Sequence, residues 1–205
     1  MFVKSLKYLA LSLLISNTAG PVFATDFADP TWPCVQRKVE KLSLGLMWPV
    51  SDTEIAPPSP EAALAIDTLA DSLALRRIAL PELEPKVAAF VSADEENSAL
   101  LGTVFETVFS SLSTRRSQII QGIGEFSQSQ IALADKIDGL RAGIAEEMAK
   151  PEPDYDKVDA LEEQLDWDQV IYSDRQQSIT YLCETPVLLE KRLYAVAQML
   201  QNSMD

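Results

Sequence analysis

Residues 95–150 contain no proline, and their large apolar residues recur at every third or fourth position. Leu101, Phe105, Val108 and Leu112 are followed by Ile119, Ile123 and Phe126, then by Leu133, Ile137, Leu140 and Ile144. Steps that alternate between four and three put these side chains on one stripe of an α-helix, whereas a strand would need a period of two. This is the heptad rhythm of a coiled coil. One extra four-residue step falls between Leu112 and Ile123, where Gly122 and Gly124 permit a bend or local unwinding. A continuous helix over 95–150 would be about 84 Å long.

Pro151-Glu152-Pro153-Asp154 stops that helix, and Asp154 is suited to cap another. The second seam runs Val158, Leu161, Leu165, Asp168, Tyr172, Arg175, Ile179, Leu182, Pro186, Leu189, Leu193, Val196, Leu200. Thr185-Pro186 reads as a cap followed by a first-turn proline, which predicts a break just after Cys183. Two long helices joined by so short a turn are expected to lie antiparallel. The fold class is therefore all-α: an elongated, coiled-coil-like antiparallel hairpin (95–150 against 154–203) with shorter N-terminal helices packed at its base. With the turn centred on Glu152, facing residue numbers sum to about 304. Asp168 then falls near Lys136, and Arg175 near Ser129, Gln130 and Glu125. Either Lys136 and Asp168 form a pair that fixes register, or both charges reach out to solvent.

Three units are expected: a signal peptide at 1–24, a Trp/Pro/Cys segment with its linker at 25–60, and a helical bundle at 61–205. Lys4 and Lys7 precede an apolar run at 8–15, and Val22-Phe23-Ala24 has the small-x-small form of a cleavage site. The run is shorter than the ~20 residues of a membrane-spanning helix, so a cleaved signal and a periplasmic location are expected. Downstream, Ser59 caps a helix with Pro60 in its first turn, spanning about 60–78. Pro81 or Pro85 opens a shorter helix reaching about Val91, and Ser92 is the expected cap of the long one. Trp32 and Trp48 read either as anchors pinning their segment to the bundle or as a ligand cage, the anchor being the commoner role of tryptophan.

Only two cysteines occur, Cys34 and Cys183. Thr31-Trp32-Pro33 is not the small apolar box that precedes a lipidated cysteine. There is no C-x-x-C motif, and two cysteines without histidine make a poor zinc site. In an oxidising compartment the pair is expected to form one disulfide, with free thiols or an intermolecular bridge as alternatives.

Composition bounds the chemistry. There is no histidine, so the chain lacks the commonest general base and metal ligand, and no Ser-His-Asp arrangement exists within it. A formal net charge of -14 argues against nucleic acid. The turn region is acidic, but Asp154-Tyr155-Asp156-Lys157-Val158-Asp159 lacks the glycine and ligand pattern of a calcium loop. No catalytic residue, metal or cofactor is expected, and the chain reads as a non-enzyme.

Candidate interaction residues are Tyr155 and Trp167 with the acids Asp159, Glu162, Glu163 and Asp166 beside them. Trp167 lies off the strict seam; it is either an exposed binding anchor or a widening of the hairpin core. The sequence supports an exported adaptor or accessory factor for periplasmic or envelope proteins, such as transport machinery. The alternatives are a holdase-like chaperone and a small-molecule or metal-binding protein with its pocket beside Trp32 and Trp48. A homodimer is the other way to bury such a seam.

Overall fold

The computed structural model describes residues 29–49 and 57–204. The signal segment and most of the linker lie outside the described residues. Four α-helices follow in order: α1 (Pro60–Ala74), α2 (Leu80–Ala93), α3 (Leu101–Met148) and α4 (Tyr155–Gln201). Among the described residues there is no strand and no helix long and apolar enough to cross a membrane. Helices α3 and α4 pack along each other as an antiparallel hairpin, while α1 lies chiefly on α3 and α2 contacts α1 and α4.

The helix starts follow local chemistry. The Ser59 hydroxyl accepts from the Ala62 N–H at 3.2 Å, with a proline in the first turn. Asp154 accepts from the Lys157 N–H at 3.2 Å and opens α4. The boundary after α2 differs from expectation. Ser92 is not a cap; its hydroxyl donates back to the Ala89 carbonyl and α2 runs on to Ala93. Asp94 instead caps a short 3-10 helix, Glu95–Ser98, by accepting from Glu96 N–H. Buried Asn97 donates to the Phe90 carbonyl and ties this corner to the end of α2, so α3 starts at Leu101.

Helix α1 also ends earlier than its periodicity suggests, at Ala74. The carbonyls released there are collected by Arg192 of α4, whose guanidinium donates to Leu73, Leu75 and Ile78 at 2.8, 3.1 and 2.9 Å. The break expected after Cys183 is absent: α4 is continuous, with Pro186 buried inside it. Proline withholds one N–H from the preceding turn. The acceptor so affected is the Leu182 carbonyl; on either side of it the Thr185 hydroxyl donates to Tyr181 and the Gln36 side-chain amide to Cys183.

The main core sits at the open end of the hairpin. Leu69, Leu73, Leu83 and Val87 of the short helices meet Leu101, Val104, Phe105, Val108 and Leu112 of α3 and Leu189, Leu193, Val196 and Leu200 of α4. Trp48 enters this core from the N-terminal segment and stacks on Phe105 with ring centroids 5.0 Å apart. Residues 29–49 form a strap along the hairpin without α-helix, with a turn at Asp29–Trp32, a bend at 35–36 and the 3-10 turn Leu44–Leu46. The Cys34–Cys183 disulfide fastens it partway up, in a small second cluster with Ile123, Trp32, Ile119, Ile179 and Leu182.

Beyond the main core the seam turns polar. Arg116, Ser127, Gln130, Glu147 and Asp168 are buried in it. The extra four-residue step lies where the spacing put it, but Arg116 and Ile120 occupy it and Ile119 is only partly buried. Arg175 does not enter the seam; it is exposed.

Candidate functional site

The far half of the hairpin is built from its own residues. Beyond Gln130, every tertiary hydrogen bond and ion pair among the described residues joins α3, α4 and their turn. Gln130 donates to the Tyr172 carbonyl at 3.3 Å, and Arg141 reaches the Gln169 side chain at 3.4 Å. Lys136 Nζ lies 2.8 Å from Asp168 Oδ2; the carboxylate is 6% exposed and the ammonium 51%. That oxygen has no hydrogen bond of good geometry, so the contact is an ion pair with Lys136 reaching in from solvent. Gly143 sits opposite Leu161, whose Cδ1 would be 3.8 Å from a Cβ placed there.

The turn is clamped by one residue that periodicity alone does not single out. Glu147, 3% exposed, accepts from Lys150 Nζ at 3.0 and 2.9 Å, from Lys157 Nζ at 2.7 Å and from the Asp154 N–H at 3.4 Å. Hydrogen bonds from the two ammonium groups pull its carboxyl down to about 2, and Glu147 in turn raises Lys157. Lys150 and Lys157 are the only basic residues between Glu146 and Asp168, so the clamp consumes both. The acids around it, Glu152, Asp156, Asp159, Glu162, Glu163 and Asp166, stand exposed and uncompensated. Among the described residues no three Asp, Glu, His or Cys side chains converge as a metal site would require.

Tyr155 and Trp167 are 63% and 62% exposed. Trp167 therefore does not widen the hairpin core. The two aromatics are twelve residues apart, a rise of about 18 Å along α4, and do not form one patch. At about 100° per residue, Glu163 lies about 40° from Trp167 around α4, Asp159 and Asp166 lie about 80–100° to one side, and Tyr155 and Glu162 turn further away. Val170 and Ile171, 54% and 38% exposed, extend the apolar surface beside Trp167. A search confined to the buried seam misses both; their signal is the three- and four-residue spacing from Trp167 itself.

Neither other tryptophan offers an open face to a ligand in the way a cage would. Trp48 is buried against Phe105, and Gly102 leaves room for it: a Cβ there would lie 3.4 Å from the indole nitrogen. Trp32 Nε1 donates to the Gln36 carbonyl at 2.6 Å within the strap. The groove between strap and α3, about 430 Å³, is lined by Lys38, Glu40, Lys41, Ser117, Gln121 and Glu125 among others, without either indole. Compared with known proteins, the chain matches no family model, no curated protein and no solved structure.

Proposed function

We propose that this protein is an exported, non-enzymatic adaptor or accessory factor of the cell envelope that offers the far half of its helical hairpin to a partner protein. One observation carries the reading. The arm beyond Gln130 adds nothing to the main core, yet it is internally braced by Lys136–Asp168 and the Glu147 clamp. It also leaves Trp167, Val170 and Ile171 in solvent. A rigid element with exposed aromatic and aliphatic side chains suits recognition by surface complementarity. Export rests on the basic, apolar and small-residue succession of residues 1–24 and on the disulfide, a bond that persists in oxidising compartments. The absence of histidine from the sequence and the net charge of -14 favour protein partners over catalysis or nucleic acid.

The test is a photoreactive amino acid placed in living cells at Glu163 on the arm and, separately, at Lys41 near the base. The adaptor reading expects one discrete cross-linked product from the arm position and none from the base. No product from the arm overturns it. A second reading, a holdase-like chaperone, draws on the same exposed Trp167 and Val170. It expects a broad ladder of products instead, together with suppression of client aggregation by the purified protein.

A further inference from the structure

Helix α4 carries a second heptad stripe on its outer side. Starting at Asp156 and ending at Leu188, the steps alternate four and three without interruption, and every residue on the stripe is exposed. Its apolar members are Trp167, Val170, Tyr181 and Leu188, which are 62%, 54%, 75% and 39% exposed. Its acidic members beyond Asp156 are Glu163, Asp174 and Glu184. At about 100° per residue the stripe lies roughly 150° around the helix from the seam that holds α3. It runs parallel to that seam and has no partner among the described residues. A stripe of this period is the surface that a further helix packs against.

The charges on the stripe choose the occupant. In a two-fold antiparallel pairing with a second copy, the register that sets Trp167 against Tyr181 sets Asp174 against Asp174 and brings Glu163 within one residue of Glu184. A parallel pairing in register stacks each acid on itself. Like charges facing each other at such positions are destabilising. Asp159 and Asp166 flank the same side, and no lysine or arginine lies on the stripe between Asp156 and Leu188, the next step reaching Lys191. From this geometry we infer that the outer face of α4 docks a basic amphipathic helix of another protein, with apolar side chains over Trp167, Val170, Tyr181 and Leu188 and Lys or Arg opposite Glu163, Asp174 and Glu184. The inference rests on the adaptor reading and specifies its partner's chemistry. Electrostatic attraction would speed encounter, and the aromatic and aliphatic contacts would hold the complex.

The probe is a synthetic, fluorescently labelled helical peptide of leucine and lysine in heptad pattern, titrated with the mature full-length protein and read by anisotropy. A scrambled peptide of the same composition, and one with glutamate in place of lysine, serve as comparisons. The patterned basic peptide should bind at least tenfold more tightly than the scrambled one, the acidic peptide should not bind, and added salt should weaken the complex. Trp167→Ala/Val170→Ser should cost tenfold or more in affinity. Glu163→Lys/Asp174→Lys should do the same while leaving the circular dichroism spectrum unchanged. Equal binding of patterned and scrambled peptides, or unaltered affinity in both variants, overturns the inference. So does a protein dimer in ultracentrifugation that dissociates on Trp167→Ala, which would make a second copy the occupant. If these peptide results fail while the cross-link from Glu163 is found, the adaptor reading stands and only the partner's chemistry is wrong. Peptide binding without any cross-link would overturn the adaptor reading instead.

Discussion

Three carbonyls at the end of α1 and in the turn after it depend on a single side chain. Arg192 is 8% exposed and faces no carboxylate there; its fork is filled by Leu73, Leu75 and Ile78 carbonyls instead. Burial lowers its pKa, but a guanidinium stays charged in proteins, and the carbonyl dipoles at a helix C-terminus are what receives that charge. Removing it would leave several buried acceptors unpartnered, which costs on the order of 1–3 kcal/mol for each that water cannot reach. Arg192→Ala should therefore lower the unfolding free energy by about 3 kcal/mol, measured by urea titration. Arg192→Lys should recover only part of this, because a single ammonium cannot span three carbonyls set by a planar fork. A loss under 1 kcal/mol would mean that the turn closes without it.

At the level of the helices, polar residues pair across the hairpin. Lys136–Asp168 is half exposed on the lysine side, so its net contribution is modest, yet Asp168 alone in the seam would be a poorly solvated charge. Lys136→Met should destabilise by about 1–2 kcal/mol, and Lys136→Met/Asp168→Leu should restore wild-type stability or exceed it. Losses in the two single variants that simply add in the double variant would show no coupling. Glu147 makes a pH prediction. Its carboxyl is depressed in the fold to about 2 from a usual value near 4.5, so its stabilisation is full above the unfolded value and disappears as the pH falls toward 2. Glu147→Gln should flatten the acid limb of the stability curve between about pH 4.5 and 2, and leave its shape above pH 6 unchanged. The facing pairs were legible in the sequence because a four-residue Pro-Glu-Pro-Asp turn leaves little freedom in register. Lys136–Asp168 and Glu147–Lys157 both sum to the same number as the centre of that turn implies. Arg116, Ser127 and Gln130 were not legible as seam residues, since an apolar period is blind to a polar side chain whose partner lies elsewhere. Arg116 finds Glu190 at 2.7 Å, and the Ser127 hydroxyl donates to the Pro30 carbonyl at 2.6 Å. The uninterrupted passage of α4 through Pro186 was hidden for the same reason, because the donor that meets the neighbouring Cys183 carbonyl, Gln36, is 147 residues upstream.

Across the whole molecule, the strap is held at two points of different kind. Trp48 is buried in the main core, and Cys34 is bonded to Cys183 midway along the hairpin. Between them the contacts are lighter: Ser117 and Arg116 donate to the Glu40 carbonyl at 3.3 and 3.5 Å, Gln201 donates to the Met47 carbonyl at 3.1 Å, and Leu42, Leu44 and Met47 rest on the main core. The disulfide joins residues 149 apart in sequence, and cross-links over such long loops act largely by restricting the unfolded chain. The hairpin itself owes its packing to the seam rather than to the strap. Cys34→Ser/Cys183→Ser should then fold with an unchanged far-ultraviolet circular dichroism spectrum, and its stability should fall by about 2–5 kcal/mol. The denaturant slope should rise, because the unfolded state without the cross-link is less compact and exposes more surface. In variants that keep one tryptophan each, the Trp32 emission should shift to the red while that of Trp48 stays put, since only the first depends on the tether. Loss of helicity on removing the cysteines would instead make the strap part of what holds α3 and α4 together, and would turn the disulfide from a fastening into a structural member of the hairpin.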